Sequence, residues 1–444
     1  MNVSRREFMA AGGVLAASML APGRLLAALE KNATPMPALT KWSDVRAQFA
    51  LAPDLLHFTS FFFASHPKPV RAAIEDFRRA LDANPVLTVD HHMFESETAN
   101  LQRRVREDMA PYMGCSADEI ALTPNTTTGL ALVYHGLSLS PGDEILTTTH
   151  DHYSHHESIR MATERAGVSW RRVPLYDRPA EASVAEIVER VRRAVKPETR
   201  AVGVTWVHSS TGVRLPIRAI ADALAELNRN RDEERRVLLV VDGVHGFGCS
   251  EEAVADLGAD FFCAGTHKWM FGPRGTGIVR AEARNWAKVR PIVPTFSEWE
   301  SFEKWMADAR PASPMNAARF TPGGFVGYDH QWAMGAAFRF HQQIGRARVA
   351  QRIRELNDQC KTGLAGIPGI TVHTPKDPAL SAGIVCFEVQ GVAVDAVVKR
   401  LLEQKIVASA SPYRDSYPRL APSLVNNPQE VETALRAVRG IAGT

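Results

Sequence analysis

From Ile120 onward, short apolar runs alternate with stretches in which apolar residues recur every three or four positions. The runs Ile120–Leu122, EILTTT after Gly142-Asp143, Val168–Val173, Arg200–Val207, Val237–Val241, Asp260–Ala264 and GIVRA predict strands. Most lack the polar alternation of a half-solvated strand, so they read as buried on both faces inside a parallel sheet. The intervening periodicity predicts helices over Val70–Leu81, Glu97–Met113, Gly129–Leu137, Val184–Val195 and Ile217–Leu227, with a helical insert between the runs Val237–Val241 and Asp260–Ala264. Such alternation builds an α/β domain: a mostly parallel central sheet flanked by helices. Prolines and broken periodicity over 291–325 mark a boundary. Beyond it come a long helix from Tyr328, strands in GITVHTP and AGIVCFEV, a helix over Asp395–Gln404, a strand IVASAS and a closing helix over Pro428–Gly440, a smaller α+β domain. The limits expected are 70–315 for the large domain and 316–444 for the small one. Residues 31–69, with Pro35, Pro37 and Pro53, read as an N-terminal arm; its part LHFTSFFFASHPKPV either runs past a site or docks into the core.

Two of these strands end in reactive side chains. The run closing at Val241 delivers Asp242, and the run closing at Ala264 delivers Thr266, His267 and Lys268. Open α/β sheets bind ligands at the carboxyl ends of their strands. A lysine and a carboxylate at neighbouring strand ends suit pyridoxal 5'-phosphate. The lysine forms an imine with the aldehyde, and the carboxylate keeps the ring nitrogen protonated. The order Asp242-Gly243, His245, then His267-Lys268 resembles the class V aminotransferase group of fold-type I pyridoxal-phosphate enzymes, and within it the isopenicillin N epimerase-like branch. The likeness extends from about Leu56 to the C-terminus.

That resemblance implies the remaining site. Thr126 and Thr127, at the helix start after Ile120–Leu122, fall where the family holds the cofactor phosphate, in keeping with the affinity of helix N-termini for anions. Thr128 replaces an often acidic residue. His152 falls at the position that stacks on the pyridine ring. His245 faces the cofactor's O3′ side, and Ser209 stands where many relatives have an asparagine, which leaves His245 to make that contact alone. Arg419 falls on the carboxylate-binding arginine, with Arg414 as fallback; a guanidinium fork matches a carboxylate bidentately. Thr321-Pro322-Gly323-Gly324 corresponds to a turn that reaches a neighbouring subunit's phosphate, which implies a homodimer. Catalytic roles are thereby expected for Lys268, Asp242 and His152, cofactor contacts from Thr126, Thr127, His152, Asp242, His245, Thr266, His267 and Lys268, and substrate contact from Arg419.

Other readings compete at several positions. His150, His152, His155 and His156 invite a metal site, but no carboxylate or cysteine cluster accompanies them, and no metal is expected. GPRGTG lacks the Lys-Ser/Thr ending of a phosphate loop; Arg274 within it is read as an exposed turn residue before a phosphate or substrate contact. DGVHGFG does not fit G-x-G-x-x-G, which argues against a dinucleotide oxidoreductase. With Lys268 and Asp242 both present, a non-catalytic binding protein of this fold is disfavoured.

Composition narrows the classes further. The chain has 444 residues and a formal charge of +3, with no basic block to suggest nucleic acid or lipid as a partner. Cys115, Cys249, Cys263, Cys360 and Cys386 show neither metal nor disulfide spacing. Cys386 lies in an apolar strand and Cys360 on a helix, poor places for the mobile nucleophilic thiol of a cysteine desulfurase. Residues 1–30, with Ser4-Arg5-Arg6-Glu7-Phe8 before a small apolar run, resemble a twin-arginine export signal. That route carries folded proteins, which suits an enzyme loaded with a cytosolic cofactor, and implies a periplasmic or exported protein whose export partner is the twin-arginine translocase. The expected activity is chemistry at the α-carbon of an amino acid or amino-acid moiety, by transamination or epimerisation. The alternatives are C–S or β-elimination and, by analogy with exported relatives, modification of a peptide siderophore.

Overall fold

The computed structural model describes residues 38–95 and 99–443. The export-signal reading of residues 1–30 lies outside these. Among the described residues no helix is long and apolar enough to cross a membrane.

The strands of the large sheet are β1 (Ile120–Thr123), β2 (Glu144–Thr148), β3 (Ser169–Val173), β4 (Thr199–Thr205), β5 (Leu238–Asp242), β6 (Phe261–Gly265) and β7 (Gly277–Arg280). They lie in the order β1-β7-β6-β5-β4-β2-β3. Only β7 runs antiparallel to its neighbours. The sheet is therefore mixed, and parallel elsewhere. β1, β2, β5, β6 and β7 are buried throughout, as strands covered on both faces are, including the polar Glu144, Thr147, Thr148 and Arg280. The pairing sets Thr205 level with Asp242 and Asp242 level with Cys263, so β4, β5 and β6 end together.

Helices of ten residues or more are α1 (Lys68–Ala83), α2 (Leu101–Met113), α3 (Thr126–Gly136), α4 (Tyr153–Ala166), α5 (Val184–Ala194), α6 (Ile217–Asn228), α7 (Tyr328–Ile344), α8 (Arg346–Ala365), α9 (Val394–Glu403) and α10 (Pro428–Ala442). Caps set several boundaries that periodicity misplaced. α2 starts at Leu101 because Asn100 Oδ1 accepts from Arg103 N at 2.9 Å. α3 starts at Thr126, three residues before Gly129, because Asn125 Oδ1 accepts from Thr128 N at 2.8 Å. The insert between β5 and β6 contains only a 3₁₀ turn, Val254–Leu257.

In the small domain, β8 (Ile370–Val372), β9 (Val385–Val389), β10 (Ser409–Ala410) and β11 (Pro418–Leu420) form an antiparallel sheet ordered β10-β11-β9-β8. The run IVASAS is two strands. Ile406–Val407 pairs with Leu56–His57, and the chain then turns at Ala408 so that Ser409–Ala410 pairs with Arg419 and Pro418. The stretch before Leu56, expected as a loose arm, is packed from Leu39 onward. Leu39, Val45 and Phe49 are buried with Trp269 and Phe271 from the turn after β6.

Candidate active site

The chemistry-bearing residues gather at the carboxyl ends of β4, β5 and β6. Asp242 is 2 % exposed. Its Oδ1 accepts from Val244 N at 3.1 Å, and no donor among the described residues reaches Oδ2. Gly243 follows because any Cβ there would run into the Phe262 ring. Burial pushes the Asp242 carboxyl up, opposed by the Val244 N–H and the Lys268 charge. Burial likewise pulls the Lys268 ammonium well below the lysine range, opposed by Asp242 and reinforced by Arg419. The two charges act on each other, Asp242 buried and Lys268 half-buried. Lys268 Nζ stands 3.3 Å from His245 Nε2.

Lys268 is held by the turn behind it. Phe271 N donates to Lys268 O at 2.9 Å, with Phe271 at φ 52°. A left-handed conformation costs a bulky residue about 1–2 kcal/mol. Here Trp269, Met270 and Phe271 are all fully buried, so packing imposes it.

Imidazoles line the remainder. His245 is buried, its Nδ1 has no partner among the described residues, and burial followed by the Lys268 charge keeps it neutral. His152 caps α4: its Nδ1 lies 3.2 Å from Ser154 N and 2.9 Å from Ser154 Oγ. Burial first, then Lys268 and Arg419, lower its pKa, which places all three in one electrostatic neighbourhood. His267 is held down to about 4 by burial and by Lys268.

The phosphate end has a cradle. A Cβ at Gly265 would lie 2.9 Å from the His267 ring and 3.2 Å from Thr126 Oγ1, so only glycine leaves that space open. Thr126 Oγ1 accepts from Gly265 N at 2.7 Å, tying α3 to the end of β6. The side chain of Thr127 is exposed. The first N–H groups of α3 lack partners in the helix, as at any helix start.

Arg419 reaches the site from β11. Its Nη1 donates to Ser209 O (2.9 Å), Nη2 to Ala410 O (2.7 Å) and Nε to Ser409 Oγ (3.2 Å), and it lies 4.7 Å above the Phe61 ring. It is 4 % exposed, and no carboxylate among the described residues pairs with it. A buried guanidinium without a counter-ion is a ready carboxylate subsite.

Other expected residues lie elsewhere or bond differently. Thr266 is fully buried, but its hydroxyl turns into the 266–276 turn, 2.5 Å from Thr276 Oγ1. Thr321 Oγ1 accepts from Leu122 N at 3.1 Å and donates to Ala317 O at 2.9 Å. Arg414 and Arg274 are exposed, with Arg274 over the Phe63 ring at 4.8 Å. The histidine cluster disperses. His150 stacks on Tyr176 at 3.9 Å, His155 Nε2 meets Tyr134 OH at 2.7 Å and His156 Nε2 donates to Thr148 O at 2.7 Å. Tyr413, on an ordinary polar loop, gave no sequence signal, whereas Phe61 lies in the segment LHFTSFFFASHPKPV, expected either to run past a site or to dock into the core.

Comparison with known proteins agrees with this geometry. The Aminotransferase class-V family model matches residues 63–412. Isopenicillin N epimerase of Streptomyces clavuligerus is 27 % identical over 359 residues, covering 79 % of this chain and 85 % of that one. A probable cysteine desulfurase of Methanothermobacter thermautotrophicus is 25 % identical over 385 residues, covering 85 % and 88 %. Among solved structures, the cystine C–S lyase C-DES with its product cysteine persulfide matches with TM-score 0.76 at 22 % identity, over 87 % of this chain and 98 % of that one. A cysteine desulfurase of Thermococcus onnurineus gives 0.76 at 19 %, over 92 % and 99 %. The fold is that of fold-type I enzymes, and the residues at the strand ends fit pyridoxal 5'-phosphate: Lys268 for the aldehyde, the free Asp242 oxygen for the ring N–H, and the Gly265–Thr126 cradle for the phosphate. This chain belongs to the class V aminotransferase family of pyridoxal-phosphate enzymes.

Proposed function

We propose that the protein acts at the α-carbon of an amino acid, or of an amino-acid moiety on a larger metabolite, as an epimerase or aminotransferase. The observation that carries this reading is Lys268 and Asp242 at neighbouring strand ends beside Arg419, a buried arginine with no carboxylate partner among the described residues. Bound pyridoxal phosphate supplies an aldehyde for amines and a protonated ring that draws electrons from the α-carbon. Asp242 would hold the ring proton through its free oxygen. Arg419 would receive the substrate carboxylate, and His152 would lie against the ring. Lys268 would hold the aldehyde and take the α-proton; burial lowers its pKa so that part of it is neutral near pH 7. Ser4-Arg5-Arg6 supports an exported, periplasmic enzyme, and a peptide siderophore is then one accessible substrate. A homodimer is supported by the apolar face beside Thr321, where Phe325 is 77 % and Trp305 69 % exposed.

A second reading, C–S lysis, is favoured by the similarity to desulfurases and to C-DES. Burial is the first cause raising every thiol here. Cys249, Cys360 and Cys386 are pushed up to about 12, Cys115 to about 11, and Cys263 well above its ordinary value. A lyase built on this chain therefore releases its sulfur product without a protein persulfide. The test is a panel of L-amino acids, cystine and peptide siderophores, followed by visible spectrum, α-proton exchange, keto acid and sulfide. Exchange without keto acid or sulfide supports epimerisation. The protein should be yellow, and borohydride or Lys268→Ala should abolish its imine band. A protein that stays colourless with added cofactor refutes the assignment.

A further inference from the structure

The loop 411–417 between β10 and β11 is cinched at its base. Ser411 N donates to Tyr417 O (2.9 Å), Tyr417 N to Ser411 Oγ (2.8 Å) and Ser416 Oγ to Ser411 O (2.6 Å). Its tip carries Tyr413 over the strand ends. The Tyr413 hydroxyl lies 2.7 Å from Ser209 Oγ, and its ring meets His152 edge-on, with centroids 6.0 Å apart. The carbonyl of the same Ser209 accepts from Arg419 Nη1. One large-domain residue thus holds two small-domain side chains. Its own position is fixed: His208 Nδ1 and Thr211 Oγ1 lie 2.8 and 3.1 Å from Tyr176 OH, and Thr374 Oγ1 donates to Thr211 O at 2.7 Å.

Counting donors shows what is left over. A guanidinium has five N–H groups, and Arg419 uses three on Ser409, Ser209 and Ala410, leaving two. Each hydroxyl of the Tyr413–Ser209 pair has one proton; one is spent within the pair and one stays free. Burial is the main cause raising the Tyr413 pKa, so the phenol keeps its proton at neutral pH. The two spare N–H groups and the spare O–H lie around one residue, Ser209, with no carboxylate among the described residues to receive them.

We propose that Tyr413 is a substrate-binding residue: its hydroxyl pair with Ser209 supplies the third donor to the carboxylate that Arg419 receives, and its ring walls the pocket beside His152. The inference rests on Arg419 being the α-carboxylate subsite. It narrows the substrate to an amino acid, or a terminal amino-acid moiety, whose α-carboxylate is free, and it excludes a residue amidated within a peptide. An amide brings an N–H toward this donor cluster and loses the charge.

The test uses holoenzyme reduced with borohydride, which fixes the cofactor to Lys268 and prevents turnover, and calorimetric binding of lactate as the carboxylate probe. The double variant Tyr413→Phe/Ser209→Ala, which removes both hydroxyls, should weaken lactate binding about 10- to 100-fold, the range for one hydrogen bond to a charged group. Either single variant leaves one hydroxyl with its proton and should lose clearly less than the double one. Ser209→Thr, which keeps the hydroxyl, should restore binding to within roughly threefold of wild type, which loss of packing alone would not allow. Lactamide should bind far more weakly than lactate to the wild type. Wild-type lactate affinity in the double variant, or equal affinity for lactate and lactamide, overturns the inference. Wild-type affinity in Arg419→Gln instead overturns the carboxylate-subsite reading beneath it.

Discussion

Replacing Asp151 by asparagine should destabilise the protein by about 2–5 kcal/mol without touching the cofactor pocket directly. Asp151 is 2 % exposed and stands one residue before His152. Its Oδ1 accepts from Thr205 N at 2.8 Å, and its Oδ2 from Thr148 N at 2.9 Å and Thr147 Oγ1 at 2.8 Å. Burial alone would raise its pKa; the neighbouring His155 and His208 and the hydrogen bonds outweigh it, and the carboxyl sits well below the usual range. Those imidazoles, 3.9 and 3.8 Å away, are themselves kept neutral by burial, so at pH 7 the three donors hold the anion. An asparagine has one acceptor oxygen where the carboxylate has two. With that oxygen toward Thr148, the Thr205 N–H loses its acceptor; turned round, the Thr148 N–H loses its own. A buried N–H left unpaired costs about 1–3 kcal/mol, and the surviving bonds lose their charge assistance at about 1 kcal/mol each. Urea unfolding of wild type and Asp151→Asn, followed by tryptophan fluorescence, reads the difference. A change below about 0.5 kcal/mol, typical of an exposed substitution, would refute the reasoning.

Three further outcomes are expected. Burial holds His150, His155 and His341 down to about 4 and His208 to about 3 in the folded chain, whereas unfolded imidazoles titrate near 6.5. Between those values the unfolded state binds more protons, so stability rises with pH across this window and is lost as pH falls from about 6.5 toward 4. The urea midpoint should drop steeply there and stay flat from pH 7 to 8; a midpoint unchanged down to pH 5 contradicts this. Native iodoacetamide should label Cys115, the half-buried thiol, and spare the four buried ones without bleaching the visible band, as mass spectrometry can check. Bleaching that tracks a second label would point to a thiol in the site. Phe325→Asp should shift the protein from dimer to monomer in sedimentation and weaken cofactor retention. An unchanged sedimentation coefficient would remove the dimer face from this surface.

The strand-borne half of the site was legible because two rules act locally. Uninterrupted apolar runs must be buried on both faces, and βα connections keep such strands parallel, so their carboxyl ends share one edge. That is why Asp242 and Lys268 could be paired across 26 positions without a structure. The small-domain half was not legible in this way. Arg419 was found only through resemblance, and nothing in SPYRDSYP distinguishes Tyr413 from an ordinary turn residue. Hydroxyl groups misled for a related reason: Thr266 and Thr126 both stand at element ends, and only packing turns one into its own turn and leaves the other at the cradle.

By itself the sequence determined the layer architecture, the strand that ends in an acid and the strand that ends in a lysine, because periodicity and burial are properties of short windows. The tertiary structure decided which side chains from distant segments meet there. Tyr413 reaches Ser209 across 204 residues and Arg419 across 210, contacts set by how the antiparallel small sheet docks on the parallel one. It also decided the fate of the histidines between 150 and 156: each found a separate partner in the core or at a helix start. A local pattern carries no information on which neighbours fill its surroundings, and it is those neighbours that fix hydrogen bonding, pKa and access.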